Sequence, residues 1–190
     1  SRAPFMSTDG CASWVDRRTD SEVEFDNSGG AQSDDEALTV LRVVGDMWLV
    51  GGWDGLWLSN DDGMSWEEIA VIPPDFTRGI AFAQDFPDDE RVFIGAYGGG
   101  VQVSPDGGQS FATPNWGIGQ TNVQNIRTTR GDSERISAIA AHWSYVSDDG
   151  GLSWRELNDP FPMERDVITY TEPDELWVYG KQLSQDGFNG

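Results

Sequence analysis

A chain of 190 residues is long enough for one domain with a sizeable core. Its 33 Asp and Glu against 12 Lys and Arg leave a formal net charge of −21, a field that makes nucleic acid and anionic membrane surfaces poor partners. No apolar stretch approaches the ~18 residues a membrane helix needs, so no membrane insertion is expected, and the single Cys11 excludes an internal disulfide framework.

In chain order, the first apolar run is Pro4-Phe5-Met6, read as a short strand that stops at the turn phrase Ser7-Thr8-Asp9-Gly10-Cys11-Ala12-Ser13-Trp14. A second unit predicts strands over 38–42, 47–51, 55–58 and 67–71, with Ser59-Asn60-Asp61-Asp62-Gly63-Met64-Ser65-Trp66 between the last two. The third predicts 79–83, 91–96, 100–103 and 111–113, around Ser104-Pro105-Asp106-Gly107-Gly108-Gln109-Ser110-Phe111. A fourth predicts 123–128, 136–140, 143–146 and 154–157, around Ser147-Asp148-Asp149-Gly150-Gly151-Leu152-Ser153-Trp154. The fifth offers 167–170, 176–179 and 182–183 before a shortened phrase that keeps Ser184 and Asp186. These runs are strands by their length and by their Val, Ile, Trp and Phe content.

The leading serines stand at 7, 59, 104, 147 and 184, at intervals of 52, 45, 43 and 37 residues. A period in the forties marks a supersecondary unit copied in tandem. The chemistry of the phrase is that of a hairpin turn. Its Asp can accept bonds from nearby amides, its Gly (63, 108, 151) permits a positive φ, and its Ser hydroxyl can tie the ends together. The aromatic that closes each phrase, Trp14, Trp66, Phe111 or Trp154, is read as a plug for a core, and Cys11 as a substituted turn residue that fills the glycine place.

The five phrases resemble the Asp-box, or bacterial neuraminidase repeat, and the resemblance covers nearly the whole chain. It implies an all-β fold, a β-propeller of four-stranded antiparallel blades with Asp-box turns, holding four to five blades or part-blades. Residues 1–190 form a single propeller domain or partial propeller, in units of approximately 1–30, 37–75, 76–118, 119–160 and 161–190. In that family the box joins the third and fourth strands, away from the ligand face, so Ser7, Asp9, Ser59, Asp61, Ser104, Asp106, Ser147, Asp149, Ser184 and Asp186 are expected to hold turns and do no chemistry. The two ends read as complementary halves: either they close a small ring, or the chain is a segment of a larger propeller completed by other chains.

In a propeller, the loops joining second to third strands share a face with the residues that lead into each first strand. Alignment of the units puts Trp53, Tyr97, His142, Trp143 and Tyr179 in those loops, and Arg78 and Arg165 just ahead of first strands. Aromatic rings stack on sugars or peptide side chains, and arginine pairs with carboxylates, so these are the candidate ligand-binding residues, although the same aromatics also suit packing between blades. His142 has no second His for a metal, and the sequence singles out no Ser or Cys as its partner in a triad; no metal and no cofactor are expected, and no catalytic residue is assigned.

The resemblance leaves two functions open. One is a non-enzymatic binding or scaffolding module for a glycan or protein partner, extracellular or periplasmic. The other is a glycoside hydrolase of sialidase-like or xyloglucanase-like type. Arg42, Arg78, Arg127 and Arg165 fall on or before first strands, but the Arg-Ile-Pro signature of sialidases is missing, since Ile72-Pro73 follows Val71.

Overall fold

The computed structural model describes residues 5–17, 38–52, 55–69, 77–129, 132–141, 143–157, 165–172 and 175–180, the last two segments through their backbone pairing. Every described element is a strand, as the short apolar runs rich in Val, Ile, Trp and Phe imply. Sheet I pairs β1 (Phe5–Met6) with β2 (Val15–Asp16). Sheet II runs β3 (Leu38–Val44), β4 (Met47–Gly52), β5 (Leu56–Ser59) and β6 (Glu67–Ile69). Sheet III holds β7 (Thr77–Phe82), β8 (Val92–Ala96) and β9 (Gly100–Ser104). Its expected fourth strand at 111–113 is reduced to one bridge, Val103 to Ala112. Sheet IV runs β10 (Val123–Thr129), β11 (Asp132–Ala140), β12 (Trp143–Ser147) and β13 (Arg155–Glu156), and sheet V pairs β14 (Arg165–Glu172) with β15 (Glu175–Gly180). The named strands pair as antiparallel meanders, with one isolated parallel bridge from Trp116 to Ser153, and β1 and β14 belong to separate sheets.

The first strands pack in sequence, β3 beside β7, β7 beside β10 and β10 beside β14. Sheets stacked face to face in this way bury both sides of their middle strands, which therefore read as unbroken apolar runs. On β8, Phe93 points into the core shared with sheet IV, alongside Ile126, Ile136 and Tyr145. Its neighbours Val92 and Ile94 point into the core shared with sheet II, alongside Leu49, Leu56 and Leu58. A third cluster, Trp48, Val50, Trp57 and Trp66 with Met6 against it, joins sheets I and II. Each fully buried Leu, Ile or Phe contributes about 1.5–3 kcal/mol.

Close approach between second and next-first strands needs a missing side chain. At Gly95 on β8, a Cβ would stand 2.6 Å from Val123 Cγ1 of β10, so only glycine lets the two sheets seat there.

Every first strand opens with the same irregularity. The pairing register slips by one between Leu38 and Val40, Thr77 and Gly79, Val123 and Asn125, and Arg165 and Val167. The extra residue of each bulge is thus Thr39, Arg78, Gln124 or Asp166.

Candidate functional site

One end of the stack is built from four copies of the turn. Each serine hydroxyl donates to the carboxylate two residues on, Ser7 to Asp9 at 2.9 Å, Ser59 to Asp61 at 2.8 Å, Ser104 to Asp106 at 2.8 Å and Ser147 to Asp149 at 2.7 Å. The same hydroxyl accepts the amide of Cys11, Gly63, Gly108 or Gly151 at 2.8 Å. The Asp Oδ1 accepts the amide of Ser13, Ser65, Ser110 or Ser153 at 2.8–2.9 Å, and Oδ2 accepts that serine's hydroxyl at 2.5–2.6 Å. Both carboxylate oxygens are therefore engaged inside the turn.

These donors stabilise the ionised form. The Ser13 hydroxyl and amide hold Asp9 down at about 2, and Ser65 does the same for Asp61, also at about 2. Asp106 is lowered by the Ser110 hydroxyl. At Asp149 burial pushes upward, and the Ser153 and Ser147 donors together outweigh it.

Two consecutive left-handed residues carry the chain round: Asp62 and Gly63 have φ of 59° and 76°, Gly107 and Gly108 69° and 94°, and Gly150 and Gly151 70° and 87°. The first of each pair donates its amide to the turn between first and second strands or to the start of the second strand, Asp62 to Asp46 O, Gly107 to Glu90 O and Gly150 to Glu134 O of β11, at 2.9–3.0 Å. The repeated turns therefore lie at the first-to-second-turn end, opposite the second-to-third loops. Trp66 and Trp154 are buried, and their indole Nε1 groups donate to Gly63 O and Gly151 O at 3.1 Å. Phe111 is half-buried, and Trp14 is not the plug expected: it is 57% exposed, because no described sheet lies over it. Ser184 and Asp186 lie outside the described residues.

At the opposite end, the candidate residues are only partly brought together. Arg78 is not ahead of a first strand but inside β7, as the bulged residue, and its exposed guanidinium carbon lies 5.6 Å from the centre of the Tyr97 ring. Tyr97 follows β8, is half exposed, and bridges to Asn122, whose carbonyl accepts the Ala141 amide at 3.0 Å. Thr121 O accepts the Gly98 and Gly100 amides at 3.1 and 2.8 Å, which fastens the 97–100 loop of sheet III to the lead of β10. Trp143 is not in the loop but is the first residue of β12, paired with Ala140 and 44% exposed. Arg78, Tyr97 and Asn122 thus meet at this end of the stack, with Trp143 at the start of β12 on the same end, and the sequence reading missed Asn122, whose only signal is its place ahead of β10.

Arg165 and Tyr179 fall elsewhere than their alignment implied. Arg165 is in β14 in the register of Thr77 and Val123, one residue before the bulge that Arg78 occupies. Tyr179 is within β15, opposite Val167, in the register of Gly51, Gly95 and Ile139. Trp53 and His142 lie outside the described residues.

At the turn end, sheets II and III also leave a cleft of about 450 Å³ lined by Val44, Met47, Leu58 and Phe86, with Asp46 and Glu90 among its acidic groups. No group of three or more His, Cys, Asp or Glu among the described residues is placed to hold a metal ion, and no helix there is long and apolar enough to cross a membrane.

Antiparallel sheets of up to four strands, stacked with their first strands side by side, define a β-propeller. Solved structures agree. The chain is similar to YCF48 from Cyanidioschyzon merolae, at 15% identity and a TM-score of 0.64, over 94% of this chain and 60% of that one. It is similar to the GH74 xyloglucanase from Xanthomonas campestris, at 15% identity and a TM-score of 0.54, over 69% of this chain and 24% of that one. The Cps50 (Swd1) beta-propeller domain of Myceliophteria thermophila matches at 15% identity and a TM-score of 0.56, over 77% of this chain and 51% of that one. The chain thus covers less than two thirds of each, and at these identities the likeness is one of fold, a propeller or part of one, shared by enzymes and by proteins of other kinds. No family model and no curated protein sequence matches the chain.

Proposed function

We propose that this chain is a non-enzymatic binding or scaffolding module of the Asp-box propeller class, acting outside the cytoplasm, and that it engages a glycan or protein partner at the mouth opposite the repeated turns. The observation that carries the reading is Arg78 over Tyr97 at 5.6 Å, on rigid strand-end backbone and facing solvent. A cationic fork seated on an aromatic face, beside Asn122 bridged to Tyr97, offers stacking and hydrogen bonding together.

Glycan and peptide arrays probed with wild type and with an Arg78→Gln, Tyr97→Ala double variant test this. Binding by wild type that drops at least tenfold in the variant supports the site, and undiminished binding removes it. Release of reducing sugar from xyloglucan, or of sialic acid from a sialoside, by wild type overturns the non-enzymatic reading.

A further inference from the structure

Met47, Arg91 and Arg135 hold one position of the repeat in sheets II, III and IV. Each stands just before the second-strand residue that pairs with a turn serine: Trp48 with Ser59, Val92 with Ser104, Ile136 with Ser147. Asp46, Glu90 and Glu134 share the place before that, and their carbonyls accept the equivalent amides of Asp62, Gly107 and Gly150. Trp48 and Val92 point into the cores shared with the preceding sheets, so their neighbours Met47 and Arg91 face the following ones. Contacts agree. A Cβ built on Gly107 of sheet III would stand 3.5 Å from Met47 Cε, and one on Gly150 of sheet IV would run into Arg91 Nη1.

The two equivalent grooves are nevertheless filled differently. Between sheets III and IV, Arg91 crosses the gap, and its Nη2 and Nη1 donate to Glu134 Oε1 and Oε2 at 2.8 and 3.1 Å. Between sheets II and III, the uncharged Met47 stands where that arginine would be. The acid across this groove, Glu90, is exposed and makes no ion pair among the described residues, and the same holds for Asp46 on the near rim. What the groove has instead is the cleft of about 450 Å³ walled by Val44, Met47, Leu58 and Phe86, a size in the range of ligand sites. A third carboxylate there, Asp106, is already engaged within its own turn.

We propose that this cleft receives an arginine side chain from a partner polypeptide, whose guanidinium does for Glu90 what Arg91 does for Glu134. The apolar walls suit the methylene stem, which prefers to lie along apolar surface while its head stays polar. Glu90 and Asp46 offer carboxylates from two sheets to the planar fork. A net charge of −21 draws a basic segment towards the chain. The site lies at the end of the repeated turns, away from Arg78 and Tyr97, so it stands independently of the function proposed for them.

Calorimetric titration with the capped tripeptide acetyl-Gly-Arg-Gly-amide, at fixed ionic strength, tests it. Wild type is expected to bind one equivalent, and at least threefold more tightly than it binds the capped Gly-Lys-Gly peptide, since an ammonium lacks the fork. Glu90→Gln should weaken binding at least fivefold, and the Asp46→Asn, Glu90→Gln double variant at least tenfold, while Glu67→Gln and Arg78→Gln leave it intact. Met47→Arg supplies the guanidinium from within the chain and should abolish binding, with a melting temperature no lower than that of wild type. No binding by wild type, equal affinity for the lysine peptide, or binding that survives the double variant overturns the proposal. Butylguanidine carries the stem and head without a backbone: weaker binding than the peptide supports a polypeptide partner, and tighter binding overturns that assignment in favour of a free small molecule.

Discussion

The backbone amide of Cys11 donates to the Ser7 hydroxyl at 2.8 Å, the bond that Gly63, Gly108 and Gly151 make in the other three turns. Cys11 makes it at φ 70°, a left-handed conformation that an L side chain adopts at a cost of roughly 1–2 kcal/mol. Cys11→Gly should remove that strain at the expense of extra freedom in the unfolded chain, for a net gain of about 0.5 kcal/mol. Chemical denaturation measures it, and a lowered midpoint would show that the turn carries no such strain.

Asp61→Ala should lower stability by about 1–2 kcal/mol at neutral pH, because the Met64 and Ser65 amides and two serine hydroxyls lose a shared acceptor at a site open to water. The pH dependence has a definite sign. The folded pKa of about 2 lies below the ~3.9 of an unfolded aspartate, so the stabilisation is complete above about pH 5 and is lost as the pH falls through 2. The difference between wild type and variant should therefore shrink between pH 4 and pH 2. Urea titrations across that range check it, and a difference that widened on acidification would reverse the assignment.

Trp66 and Trp154 occupy the same place in the repeat and are 8% and 5% exposed, whereas Trp14 is 57% exposed. Truncation of either buried ring to Ala should cost about 3–5 kcal/mol. Trp14→Ala should stay within about 0.5 kcal/mol of wild type, as an exposed substitution does. Three variants measured side by side decide whether the plug depends on the motif or on the sheets around it.

Arg91 joins two sheets, with Nη2 2.6 Å from Asp89 of its own sheet and 2.8 Å from Glu134 of sheet IV. Glu134 is more than half exposed, so solvent screens that arm, and Glu134→Gln should cost no more than about 0.5 kcal/mol, less in 0.5 M salt. A loss above 1.5 kcal/mol that persists in salt would mean that the bridge acts as a buried clasp.

The turns were legible in the sequence because they are local devices. Every bond that Ser59 and Asp61 make within their turn reaches no farther than four residues, so spacing alone carries the structure. The strands were legible for a similar reason, since Val92-Phe93-Ile94 is buried on both faces and shows it as an unbroken apolar run. Register was not legible. The bulge that puts Arg78 in β7 exists only in the pairing with β8, and its counterpart in β14 falls at Asp166, so Arg165 stands one place short of the position of Arg78, and Tyr179 lies within β15 opposite Val167. Burial was not legible either: Trp14 and Trp66 end the same phrase, and neighbouring sheets alone make one a core residue and the other a surface one. The seating of Gly95 against Val123 was equally hidden, because the distance between far-separated residues is set by packing and not by spacing along the chain.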